Sequence, residues 1–238
     1  MYYMITVLFL NCVLVLVNVV SADEVNVYSA RKENLIKPLL DRFTGQTGIS
    51  VNLVTAKADA LLQRLVAEGP NSPADLFITV DAGRLFRATQ AGVLDAVSSD
   101  VLDNAVPAHL KDPHGFWYGL SFRTRPIMYA HDRVSPGDLS SYEDLADSKW
   151  NGRICIRSSS NIYNQSLIAS MIAVHGETKT EEWLNAFVEN FARPPQGGDT
   201  DQLRAVAAGE CDIAIANNYY LGRLHYSAVN GADKRAGQ

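Results

Sequence analysis

The chain has 238 residues, 21 basic against 26 acidic side chains for a net charge of −5, and 47% hydrophobic residues. That is apolar content enough for one large domain or two small ones, and the unbiased composition excludes disordered, collagen-like and coiled-coil architectures. The acidic balance argues against nucleic-acid binding, which calls for a basic face, and the 3 cysteines are too few for a disulfide-built scaffold.

Residues 5–22 (ITVLFLNCVLVLVNVVSA) carry no charge and are followed at once by Asp23 and Glu24. The run reads as an export signal spanning 1–22, with the small residues Val20-Ser21-Ala22 at a cleavage point. An uncleaved anchor is the alternative, and either way the remainder is exported. From there strand and helix signals alternate. Period-two alternation predicts a strand over 24–30. Leu35, Ile36, Leu39, Leu40 and Phe43 at helical spacing predict a helix over 34–45, with Pro38 near its first turn. A strand over 49–55, a helix over 58–68 closed by Gly69-Pro70, a buried strand over 74–80 and a helix over 82–91 follow. This β-α-β-α-β-α order implies a parallel sheet with helices on both faces.

The pattern loosens over 95–115, and 117–129 reads as an extended segment interrupted by Pro126, so a lobe boundary is expected between 124 and 130. A second unit follows: a strand over 153–157, helices over 163–174, 181–191 and 199–208, and a strand over 212–216 that runs into Asn217-Asn218-Tyr219-Tyr220 and the helical phrase LGRLH. Cys155 and Cys211 fall in strand-like phrases. In an oxidising compartment they pair as a disulfide between neighbouring strands; two buried free thiols are the alternative.

No P-loop, no GxGxxG after a strand, no GxSxG elbow, no HExxH and no CxxC occurs. The five histidines (His109, His114, His131, His175, His225) are scattered without paired spacing. An enzyme is therefore disfavoured, although a triad assembled from distant residues stays open. The tyrosines say more. Tyr219-Tyr220 follows one strand and Tyr163 follows another, each at a strand-to-helix crossing, where open α/β sheets bind ligands. A regular strand would send neighbouring rings to opposite faces, so only a turn or a first helical turn brings the pair to one point. Three phenols there offer hard anionic oxygens. They suit Fe³⁺, which displaces a proton from a group with a pKa of about 10, whereas Zn²⁺ or Ca²⁺ does so poorly. The alternative is core-edge packing, with rings buried and hydroxyls wet. The run Ser158, Ser159, Ser160, Asn161 supplies helix caps or, with Arg157 or Arg123, an anion site.

The phrases VYSARKENLIKPLLDRFTGQTGI, NSPADLFITVDAGRLFRA, YEDLADSKWNGR, NIYNQSLIASMI and DTDQLRAVAAGECDIAIANNYYLGRL are similar to those of the periplasmic ferric-iron-binding proteins of ABC importers. These are transferrin-like solute-binding proteins of the type II fold, and the resemblance runs from Val25 to Leu224. It implies an α/β fold of two lobes, 23–124 and 125–238, closing over a cleft. It also implies Fe³⁺ bound by Tyr163, Tyr219 and Tyr220, an anion such as carbonate near Arg123, delivery to a membrane permease of an ABC importer, a periplasmic monomer and no catalysis. Some members carry a histidine, or a His-Tyr pair, after the first strand; Lys32 and Glu33 stand there instead. Others use a glutamate after the third strand, where this chain has Val80. Asp81 or Glu33 is the candidate substitute, with water or carbonate as the alternative. Members also continue beyond the tyrosine pair, so the second lobe is expected to be incomplete. The rival readings are a same-fold binder of an organic solute or anion, with the tyrosines as a stacking platform, and a truncated fragment without function.

Overall fold

The computed structural model describes residues 23–229. The expected signal over 1–22 and the polar stretch 230–238 lie outside the described residues. The first unit runs β1 (Glu24–Ser29), α1 (Glu33–Thr47), β2 (Ser50–Thr55), α2 (Ala58–Glu68), β3 (Leu76–Ile78), α3 (Ala82–Gln90). Its sheet has the order β2-β1-β3, all parallel, with Val27 of β1 level with Leu53 on one side and Leu76 on the other. The central strand is the buried one: Val27, Tyr28 and Ser29 are almost fully enclosed, and Tyr28 packs on Leu61 and Leu65 of α2. Helix α1 stops at Gly48, whose φ of +76° lets its N–H turn back to the Thr44 carbonyl at 2.8 Å, a conformation that favours glycine.

Between the units, α4 (Asp100–Ala105) is a short helix that the loosened pattern does not announce. Ser99 caps it by accepting from the Leu102 N–H at 3.4 Å. The second unit comprises β4 (Ile127–Tyr129), β5 (Ile154–Cys155), α5 (Ile162–His175), α6 (Glu177–Glu189), α7 (Asp199–Ala208), β6 (Ile213–Ile215) and α8 (Asn218–Val229). Its sheet has the order β4-β6-β5, with β4 antiparallel and β5 parallel to the central β6. Trp150, Leu145, Ile154, Trp183, Phe187, Ile213 and Ile215 form one buried cluster, within which the Trp183 and Phe187 rings stack at 4.6 Å.

Helix α6 starts four residues earlier than its apolar period indicates. Only Thr180, Trp183 and Phe187 on it are buried, and its first turn, Glu177 onward, is polar. That turn is set by Gly176 at φ +84°, with the Thr180 hydroxyl donating to the Gly176 carbonyl at 2.8 Å. The disulfide reading of the cysteines holds. Cys155 and Cys211 are bonded across a Cα–Cα distance of 5.9 Å, both buried against Ala205, Val206 and Ala214. Among the described residues no helix is long and apolar enough to cross a membrane.

Candidate functional site

Strands β5 and β6 lie side by side and parallel, so their carboxyl ends open onto the same edge, and each feeds a helix there. After β5, Asn161 caps α5 by accepting from the Tyr163 N–H at 3.0 Å, which fixes Tyr163 in the first helical turn. After β6, the buried Asn217 leads into α8, whose second and third residues are Tyr219 and Tyr220. The first helical turn expected for the pair is therefore present, and the two rings lie 4.4 Å apart, tilted by 32°.

The three phenols meet. The Tyr219 hydroxyl is close enough to those of Tyr163 and Tyr220 for each to perturb the others, with the Asn217 side chain beside it. Burial works to raise the Tyr219 value, but the hydrogen bonds from Tyr220, Tyr163 and Asn217, with Arg123 nearby, outweigh it, so this phenol ionises below the ordinary range. Burial, then the hydrogen bond to Tyr219, push Tyr163 up, and the same two causes push Tyr220 up. One oxygen is thus prepared to carry negative charge while two neighbours hold their protons. The positive ends of α5 and α8 at this edge favour such a charge.

Cations surround the cluster. The guanidinium carbon of Arg123 lies 4.4 Å from the Tyr163 ring centre, that of Arg157 5.3 Å and that of Arg125 5.8 Å, while Arg223 sits 5.4 Å from the Tyr220 ring. Arg123 and Arg125 reach the site because their extended segment continues the antiparallel pairing beyond β4 and β6: the Asn218 N–H donates to the Thr124 carbonyl at 3.1 Å. Beneath the phenols, the fully buried Asp199 carboxylate accepts from Arg125 Nη1 at 2.8 Å, Arg157 Nη1 at 3.0 Å and the Asn217 N–H at 2.9 Å. Arg125 also donates to Asn164 Oδ1 at 2.7 Å and Asn217 Oδ1 at 3.1 Å. A cavity of about 330 Å³ opens beside the cluster, lined by Asp81, Arg123, Arg125, Tyr163, Ser166 and Asn217 among others.

The other expected residues fall differently. Ser158 and Ser159 are not among the cavity-lining residues. The Ser158 hydroxyl pairs with Ser160 at 2.9 Å, and the Ser159 carbonyl accepts from Gln165 at 3.2 Å, so the run closes its own turn. Glu33 is exposed in the first turn of α1, in a separate groove with Lys37 and Asp41. Asp81 is at the cavity: Oδ2 accepts from Arg123 at 2.5 Å, and Oδ1 accepts from Ser166 at 2.5 Å. Sequence reasoning missed Asp199, Asn164 and Arg125. The phrase FRTR held a signal for Arg125, since residues two apart on an extended segment share a face with Arg123; the partners of Arg125 gave none. Among the described residues no group of three or more His, Cys, Asp or Glu could hold a metal ion.

A family model described as bacterial extracellular solute-binding protein matches residues 71–224. Iron uptake protein A1 of Synechocystis sp. is 52% identical over 202 residues, 85% of this chain and 56% of the relative. The Fe(3+)-binding periplasmic protein of Serratia marcescens is 32% identical over 202 residues, 84% of this chain and 59% of the relative. The chain thus spans less than two thirds of the length of these relatives. Among solved structures, the Trichodesmium protein IdiA (FutA) in complex with iron and citrate superposes with a TM-score of 0.85 at 53% identity, over 90% of this chain and 67% of that one. A ferric binding protein from Campylobacter jejuni superposes with a TM-score of 0.82 at 41% identity, over 90% and 67%.

Proposed function

Because the chain belongs to the bacterial extracellular solute-binding proteins and has their type II α/β architecture, we propose that it binds Fe³⁺ through Tyr163, Tyr219 and Tyr220 and hands it to the permease of an ABC importer. The observation that carries this reading is the meeting of three phenols at the carboxyl ends of β5 and β6, with the Tyr219 and Tyr220 rings 4.4 Å apart, under a shell of guanidinium groups. Three phenolates balance the charge of one ferric ion, and their hard oxygens suit it. The arginines lower the cost of ionising the phenols, Arg123 most closely. The names of the relatives, iron uptake and Fe(3+)-binding proteins, support the same cargo.

In this reading the protein works outside the cytoplasm, in the periplasm, as a monomer that catalyses nothing, with lobes at 23–124 and 125–238 and the cargo between them. The separate spans of the two sheets support that division. The anion that would accompany iron at Arg123, carbonate in the expected pattern, meets a carboxylate already in contact with that guanidinium. The test is a titration of the purified chain with ferric citrate, recorded in the visible range beside a Tyr219→Phe, Tyr220→Phe double variant. A phenolate-to-iron charge-transfer band in the parent and its loss in the variant are expected. A folded parent without a band overturns the ferric reading and leaves the same cleft to an organic solute or anion.

A further inference from the structure

Resting on the ferric reading, we infer that the Cys155–Cys211 disulfide is a positioning device for the iron site. It holds together the two segments that carry the phenols, so metal affinity and the oxidation state of this pair are linked. Each cysteine stands eight residues ahead of a phenol, Cys155 ahead of Tyr163 and Cys211 ahead of Tyr219. From the cross-link both segments run through a strand, turn at the start of a helix and meet again at the phenols. The non-covalent tie between them is short. β5 and β6 are level at two positions, Ile154 with Ile213 and Cys155 with Ala214, and the Asp212 N–H donates to the Arg153 carbonyl at 2.8 Å. A parallel pairing of that length resists little displacement by itself, and the covalent bond supplies the constraint it lacks.

A third element meets at the same bond. Both cysteines are almost fully enclosed, packed on Ala205 and Val206 of α7 and Ala214 of β6. Helix α7 runs from the site to the disulfide. Its first residue is Asp199, the buried carboxylate beneath the phenols, and Ala205 lies six residues, or about 9 Å of helix, further along. Three elements thus converge on one cross-link, and at its far side each delivers part of the site. β5 leads to Tyr163, β6 leads to Tyr219 and Tyr220, and α7 supplies the counter-charge of Arg125 and Arg157. Ligands held in place before the metal arrives lose less conformational freedom on binding, and the affinity is higher for it. Linkage makes the effect reciprocal: the factor by which the disulfide raises metal affinity is the factor by which bound metal protects the disulfide from reduction. Burial adds a physical route, because a reductant reaches the sulfurs only when the junction opens, and a metal that joins the phenols opposes that opening.

The experiment compares the oxidised parent, Cys155→Ala with Cys211→Ala, and Phe187→Ala, a cavity variant in the neighbouring cluster whose loss of stability is of the same order. Ferric affinity is read from the charge-transfer band in competition with citrate, at a temperature where circular dichroism shows all three folded. The cysteine variant should bind on the order of tenfold more weakly, the ordinary scale of coupling between two sites, and Phe187→Ala should bind as the parent does. The reciprocal measurement needs no variant. The parent is equilibrated with dithiothreitol, whose two thiols close to a cyclic disulfide as Cys155–Cys211 takes up two electrons and two protons to give two thiols. This is done with and without gallium(III) citrate, a hard trivalent ion that dithiothreitol does not reduce, its loading checked by the ultraviolet band of metal-bound phenolate. Gallium should lower the reduction equilibrium constant by the same factor, about 30 mV for a tenfold effect. If the cysteine variant fails to fold, this second measurement decides. A folded cysteine variant with parental affinity, an equal loss in Phe187→Ala, or a reduction equilibrium indifferent to gallium overturns the inference and leaves the ferric reading standing. No charge-transfer band in the oxidised parent sinks both.

Discussion

Asp199→Asn is the substitution whose effect the structure specifies most fully. The carboxylate is fully buried and holds two guanidinium groups, Arg125 and Arg157, whose side chains are only 10% and 16% exposed. Asparagine keeps the shape, removes the negative charge and turns an N–H₂ toward one of the arginines. Arg125 retains Asn164 and Asn217, but two like charges then face each other with no counter-ion between them. Removing one partner of a buried ion pair costs about 3–5 kcal/mol, far more than the ~1 kcal/mol of an exposed pair. With a urea dependence of about 2 kcal/mol per molar, the unfolding midpoint should fall by roughly 2 M. Tryptophan fluorescence is a suitable probe, because Trp150 and Trp183 are 1% and 8% exposed in the core of the same unit. A second variant carries the argument: Arg157→Met added to Asp199→Asn removes one stranded charge and should recover about 1–3 kcal/mol. A loss below 1 kcal/mol for Asp199→Asn, or full additivity of the two substitutions, would refute the view of Asp199 as the neutralising centre beneath the tyrosines.

Further outcomes are expected. Replacing Cys155 and Cys211 by alanine opens a cross-link between residues 56 apart in sequence, for which the chain-entropy relation gives about 4 kcal/mol; chemical denaturation against the oxidised parent measures it. Ferric affinity should fall as pH falls, because bound phenolates exchange for phenols. Tyr163 and Tyr220, held above the ordinary phenol value chiefly by burial, are protonated in the free protein at neutral pH and release their protons on binding. With Tyr219 contributing up to one more, the slope should be about two to three decades of affinity per pH unit, read by competition with a chelator of known protonation. A flat or inverted slope would show that the phenols are not the ligands. Gly115→Ala forces a side chain into φ +80° with its Cβ 2.7 Å from the Val97 carbonyl, and should destabilise by about 1–3 kcal/mol in the same denaturation assay, whereas Gly137→Ala, which meets nothing within 4 Å, should stay near neutral.

The sequence alone determined the alternation of the first unit. The period-two run of β1, the apolar stripe of α2 and the stop after α1 are local properties, and the parallel sense of the sheet follows from the alternation, whereas its order β2-β1-β3 is set by tertiary structure. The sequence also located the tyrosines at strand-to-helix crossings, because a strand ending in a polar pair before a helical phrase is readable without knowing the partner strand. Tertiary structure decided what the crossings do together. β5 is two residues long and β6 three, too short for a period to declare that they are neighbours, yet their pairing is what brings Tyr163 to Tyr219. Asp199, at the start of a helix 18 residues before Asn217, looks from sequence like an ordinary first-turn acid and is instead the buried counter-charge of two arginines. Asp81, which caps α3 as any aspartate might, meets Ser166 and Arg123 only because α5 and the segment before β4 come within hydrogen-bonding distance. Periodicity and capping act over a few residues and leave their mark in composition. Charge compensation and ligand geometry are properties of residues that meet only after the chain has folded.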